Sequence, residues 1–133
     1  CFARRSAFNV STGTITLFTL DTVDFDPQNE YDEVTNFRFT ATNAGKYLVI
    51  CQTYSGAHID SGNQSTTYMY KNGGSINSQF LRSSVANEYI GTQCIEIVSL
   101  SATDYVDLRV HHNQGVTVSY LSNNSFLMVA KIA

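Results

Sequence analysis

Along most of the chain, apolar positions alternate with polar ones instead of recurring at helical spacing. In FRFTATNAGKYLVICQTYSG, Phe37, Phe39 and Ala41 alternate with Arg38, Thr40 and Thr42; the pattern stops at Asn43-Ala44-Gly45, and a second alternation starts at Tyr47. Successive strand side chains point to opposite faces, so a period of two marks a half-buried strand. The same reading predicts strands over 7–10, 15–20, 24–25, 37–42, 45–54, 66–71, 75–82, 91–100, 105–111, 116–119 and 125–131. Turn-forming clusters separate them, among them Ser11-Thr12-Gly13, Asp26-Pro27, Asp60-Ser61-Gly62-Asn63, Asn113-Gln114-Gly115 and Ser122-Asn123-Asn124. Asn72-Gly73 is the strongest hairpin signal, because both residues accept the positive φ of a tight turn. Gly45 is expected to take a turn conformation closed to other residues.

Apolar residues seldom keep helical spacing for more than one turn, and a parallel sheet would need helical crossovers. The expected fold is therefore all-β, an antiparallel β-sandwich or jelly roll of about ten strands. Residues 1–133 are read as a single domain, long enough to bury one core. Phe37 and Phe39 on one strand, with Tyr47, Val49 and Cys51 on the next, are the expected apolar surface of that core.

Composition narrows the function. Charged residues make up 14% of the chain, against roughly 25% in an average domain, so the surface is built largely from neutral polar groups. A net charge of -3 supplies no basic stripe for phosphates, which argues against nucleic acid. The longest apolar runs, 47–51 and 126–130, fall short of the ~20 residues of a membrane span, so no membrane insertion is expected. Cys1, Cys51 and Cys94 share no metal-ligand spacing. Cys51 and Cys94 sit in apolar strands as small buried hydrophobes or as a disulfide pair, and Cys1 is a candidate for cross-linking chains.

The segment LDTVDFDPQNEYDEVTNFRFTATNAGKYLV, residues 20–49, resembles the most recognisable stretch of the C1q-like domain, a jelly roll shared with the tumour necrosis factors. Tyr31 and Asp32 match its loop, Phe39 and Thr40 the following strand, and Gly45 with Tyr47 the turn and its aromatic. Further along, Tyr70-Lys71-Asn72-Gly73 resembles the family's mid-chain hairpin, Asp104-Tyr105-Val106 its Gly-Asp-x-Val, and Ser125-Phe126-Leu127 its closing strand. Asn36, Asn43-Ala44 and Thr103 stand where the family often has glycine or proline, and the wording is more similar to bacterial and bacteriophage members than to animal ones. The resemblance implies a C1q/TNF-like jelly roll that forms a homotrimer. Aromatic residues would line the trimer interface, with Tyr47, Tyr105, Tyr120 and Phe126 as candidates.

Candidate chemistry is sparse. His58, His111 and His112 are the side chains that titrate near neutrality, yet no nucleophile elbow, zinc-protease helix or phosphate loop accompanies them. On a strand His111 and His112 would point to opposite faces, which is poor geometry for one metal. In a trimer, however, one histidine near the axis is presented three times. The acidic cluster Asp21, Asp24, Asp26, Glu30, Asp32 and Glu33 reads as a solvated loop, a calcium site or, least of all, a carboxylate pair for glycoside hydrolysis. Asp24, Asp26, Asp32 and His111 are the candidate ligands for calcium or another metal ion, including one at the trimer axis; no other cofactor is expected.

The function expected is a non-enzymatic homotrimeric binding module, the head of a fibrous, virion or surface protein acting at an extracellular, cell or virion surface. Three sites at fixed spacing would raise avidity. Its ligand, a cell-surface glycan or protein, is expected to meet the loop residues His58, Asp60, Asn63, Asn87, Glu88, His112 and Asn113. The alternatives are a purely structural trimerisation cap that sets fibre register, and a glycan-acting enzyme.

Overall fold

The computed structural model describes residues 1–56 and 59–133. Its strands are β1 (Phe2–Arg4), β2 (Phe8–Val10), β3 (Thr16–Leu17), β4 (Thr22–Phe25), β5 (Tyr31–Asp32), β6 (Arg38–Thr40), β7 (Gly45–Tyr54), β8 (Gln64–Lys71), β9 (Gly74–Arg82), β10 (Gly91–Leu100), β11 (Tyr105–His112), β12 (Val118–Tyr120) and β13 (Phe126–Lys131). The first sheet runs β10-β7-β13-β1-β4, and the second runs β5-β6-β11-β8-β9 with β3 added beside β11. A short β12-β2 pair forms its own ladder, joined to the end of β7 through the Ser55–Tyr120 bridge. Every pairing is antiparallel, and most neighbours are distant in sequence, which is the connectivity of a jelly roll.

The core is the sum of the inward parities. Tyr47, Val49 and Cys51 on β7, Leu127 and Val129 on β13 and Ala3 on β1 meet Phe39, Met69, Val106, Leu108 and Val110 of the second sheet. Toward one end the core turns polar: the Thr67 hydroxyl lies 2.6 Å from those of both Thr53 and Thr92, and the Ser65 hydroxyl 2.7 Å from that of Tyr120. Buried hydroxyls are tolerated there because they satisfy one another. Cys51 opposes Cys94 across the β7-β10 ladder with both thiols free. Burial pushes both thiols up, so they stay protonated and behave as small hydrophobes.

Several details differ from the pattern-based expectation. β1 and β5 have too few residues to show a period of two. The strand expected over 15–20 shrinks to β3, although Phe18 is buried, its ring centroid 4.9 Å from that of Phe8 and 5.9 Å from that of Tyr120. Phe37 has φ +50° and lies outside β6, so Phe39 alone carries that strand's core contact. Gly45 is glycine for want of space, not for its φ: a Cβ there would overlap the Ala133 carbonyl oxygen and Lys131 Cε. Asn72 (φ +48°) and Gly73 (φ +82°) form the tight β8-β9 turn as expected.

Candidate functional site

A sandwich has two outward faces, and here they differ in chemistry. On the first sheet the register aligns Ile95 with Ile50, Ile50 with Met128, Met128 with Phe2, and Phe2 with Phe25. These residues form an apolar row across all five strands. A second row, Ile97-Leu48-Ala130, runs beside it. Phe25, Ile95 and Ile97 are 63%, 54% and 57% exposed. On the other flank Phe126 packs its ring 5.2 Å from that of Phe2. The border is polar: Gln93 Nε2 donates to Gln52 Oε1 at 2.9 Å, and Arg4 pairs with Asp24 and Asn123. An apolar core with a polar rim is the anatomy of a protein interface.

Of the four aromatic residues expected at a subunit interface, Phe126 alone lies on this face. Tyr47 and Tyr120 are at most 2% exposed and belong to the protomer's own core. Their hydroxyls find internal partners, Tyr47 on the Asn43 carbonyl at 2.5 Å and Tyr120 on Ser65. Tyr105 belongs to the second sheet, where the Arg38 guanidinium lies 4.0 Å above its ring. Sequence reasoning missed Phe2, Phe25, Leu48, Ile50, Ile95, Ile97 and Met128. The runs 47–51 and 126–130 carried the signal, because a strand apolar at both parities is covered on both faces.

The loops after β7, β9 and β11 bring most of the expected ligand residues together. Gln114 Nε2 donates to Asp60 Oδ2 at 2.6 Å, while Gln114 Oε1 accepts from the Asp60 backbone N–H at 2.8 Å and from Asn63 Nδ2 at 3.0 Å. The Asn87 N–H reaches Asp60 at 3.3 Å, Glu88 accepts from the Ser83 hydroxyl at 2.8 Å, and Asn113 Oδ1 accepts from the Gln64 N–H at 2.7 Å. These groups satisfy one another and tie the three loops into a knot centred on Gln114. His58 lies outside the described residues.

His112 is no surface residue. It is fully buried, its Nε2–H donating to the Val10 carbonyl at 2.8 Å while Nδ1 accepts from the Gln114 N–H at 3.3 Å. That pattern fixes a neutral imidazole, and burial pushes its pKa down. A strand-end position could not reveal this, because parity gives the face but not what covers it.

The acidic candidates are committed to local partners. Arg4 holds Asp24 below the usual carboxylate range. Asp26 accepts the Tyr31 N–H at 2.7 Å. Asp32 accepts from the N–H groups of Val34, Thr35 and Asn36 and from the Asn36 amide, which takes its pKa down to about 2. A glycosidase acid needs a raised pKa, the opposite of what Asp24 and Asp32 have. Asp24, Asp26, Glu30 and Asp32 line an open groove with Tyr31 and Thr42. His111 stands away from it, opposite Thr66 on the outer face of the second sheet. Among the described residues, no three His, Cys, Asp or Glu side chains stand close enough to hold a metal ion. No described helix is long and apolar enough to cross a membrane.

With this geometry in place, the chain aligns with solved tumour necrosis factor-type structures. Eiger TNF from S. frugiperda is 15% identical, with a TM-score of 0.68 over 99% of this chain and 92% of that one. Rabbit GITRL is 15% identical, with a TM-score of 0.52 over 80% of this chain and 81% of that one. The chain therefore has the C1q/TNF-like jelly-roll fold. No family profile and no curated protein matches it.

Proposed function

We propose that the chain is a non-enzymatic homotrimeric binding head, assembled through the outer face of the first sheet and displayed at an extracellular, cell or virion surface. The observation that carries this reading is the apolar row Ile95-Ile50-Met128-Phe2-Phe25, which a monomer would leave in water. The row starts on the edge strand β10, and beyond that edge β9 presents Leu81, 47% exposed. Face and edge are different surfaces of one protomer, so the edge of one copy seats on the face of the next. Such heterologous contacts close into a ring when the rotation allows. Three copies is the ring that the C1q-like resemblance implies, and obligate interfaces of this apolar kind bury over ~2,000 Å².

A metal on the trimer axis does not follow from the expected ligands. Asp32 is saturated by its own turn, and His111 lies on the sheet opposite the assembling face. The assembly mass is accordingly expected to be indifferent to a chelator.

Light scattering of the purified chain tests the reading. The wild type should have the mass of three chains, and Ile95→Glu should have the mass of one with an unchanged circular dichroism spectrum, because Ile95 makes no core contact. A monomeric wild type overturns the proposal. The trimerisation-cap alternative fails if the wild-type trimer binds intact cells and a surface variant loses that binding while keeping its mass.

A further inference from the structure

The outer face of the second sheet remains unused by the assembly just proposed. Its side chains include Arg38 on β6, Tyr105, Asp107, Arg109 and His111 on β11, Thr66, Tyr68 and Tyr70 on β8, and Phe80 and Arg82 on β9, Arg82 donating to Gln64 at 3.2 Å. The Arg109 guanidinium lies 4.1 Å over the Tyr70 ring and donates to Asp107 through Nε at 2.7 Å and Nη2 at 3.3 Å. Asp107 is thereby neutralised. The Arg38 guanidinium rests on the Tyr105 ring, yet among the described residues it has no carboxylate and no hydrogen-bond acceptor. Asp32 stands opposite Arg38 in the ladder, but its carboxylate is turned into its own loop. Arg38 is thus a positive charge with its donors free, held flat by an aromatic ring, a preorganised fork for a carboxylate.

A second observation lies farther along the same face. Thr66 is 4% exposed and its hydroxyl has no partner, although buried hydroxyls are nearly always bonded. Its neighbours across the ladder are His111 and Phe80, and Phe80 is 62% exposed. The face therefore carries, spread along it, an unpaired guanidinium, an unsatisfied hydroxyl and an exposed aromatic ring.

Resting on the reading of the chain as a binding head, we infer that this face binds an acidic glycan, a saccharide chain bearing carboxylates. Arg38 takes the carboxylate, Phe80 packs against the C–H face of a sugar ring, and Thr66 and His111 meet sugar hydroxyls once the Phe80 side chain moves aside. What selects the acidic class is the free donor fork of Arg38, since Asp107 is bonded to Arg109 and the Asp32 carboxylate to its own loop.

The test is isothermal titration calorimetry of the full chain with an oligogalacturonate, with a sialylated oligosaccharide, and with a neutral malto-oligosaccharide of the same length as the first. At least one carboxylated probe should bind, more weakly at raised salt, and the neutral one should not. Arg38→Gln should weaken binding about tenfold or more, and Phe80→Ala should weaken it with the salt dependence retained. Failure of both acidic probes, equal affinity for the neutral one, or equal affinity of Arg38→Gln overturns the inference, as does a protein partner that occupies this face and is lost on Arg38→Gln. Light scattering on the same samples keeps the two readings apart: an intact trimer without binding refutes the glycan site alone, and a monomer refutes the assembly.

Discussion

The two outward faces of the sandwich are made by the same kind of strand and carry opposite chemistry. Along the central row of the first sheet's outer face, neighbours across the ladders are Ile, Met and Phe, and polar residues such as Arg4, Gln52 and Gln93 stand at its border. On the second, rings and guanidiniums are interleaved, Arg38 on Tyr105 and Arg109 on Tyr70, with Asp107 buried beneath. The first face is short of cover, and the second is already partly covered by its own cations. A jelly roll has one core, so apolar residues on a further face call for a second burial event, which the proposed assembly would supply.

The deepest cut through this comparison is at the core both faces share. Phe39 is 1% exposed, its ring 5.7 Å from that of Tyr47. Phe39→Ala should destabilise by about 3–5 kcal/mol, read by urea denaturation, and should weaken trimer mass and ligand binding together. Loss of one property with the other intact would mean that the faces do not rest on a common core.

That dependence was legible early, because Phe39, Val49 and Cys51 follow a clean period of two. The faces were harder to read. Tyr47 and Tyr120 looked like interface residues because they are aromatic, whereas the Tyr47 ring packs against Phe39 of the second sheet with its hydroxyl on the nearby Asn43 carbonyl, and the Tyr120 hydroxyl meets Ser65 of β8; the cross-sheet contacts are what no local pattern shows. The apolar outer face of the first sheet was visible as uninterrupted apolar runs in β7 and β13, but an apolar run alone does not separate a second apolar face from a thick core. Gln114, the centre of the loop knot, carries no motif; contacts to residues more than fifty positions away make it structural.

A smaller effect separates the faces directly. Arg109→Ala leaves Asp107, 2% exposed, without its counter-charge and uncovers Tyr70. The guanidinium, 28% exposed, limits the loss to about 2 kcal/mol, measured by urea denaturation. The trimer mass should not change, since the variant lies on the other sheet. A fall in mass would place the second face in the assembly and collapse the distinction between the two.

The smallest effect comes from protons, and it acts beneath the second face. His112 tethers β11 to β2 as a neutral ring, and burial holds its folded pKa below the ordinary value of about 6.5. The unfolded chain therefore takes up a proton here before the folded one does, so stability is full above roughly pH 6.5 and declines as the pH falls through the lowered folded value. Asp32 and Asp104, both brought down to about 2 by hydrogen bonds to their charged forms, add a separate step. Their contribution is present above the unfolded value of roughly 4 and is lost as the pH falls toward about 2. Urea midpoints across this range should show two declines, and His112→Gln should remove the upper one alone. Trimer mass at pH 6, measured at protein concentrations where the wild type stays folded, should be unchanged, because the apolar row contains no titrating group. An assembly that dissociates in the histidine window without unfolding would show that the first face is coupled to His112 through the core.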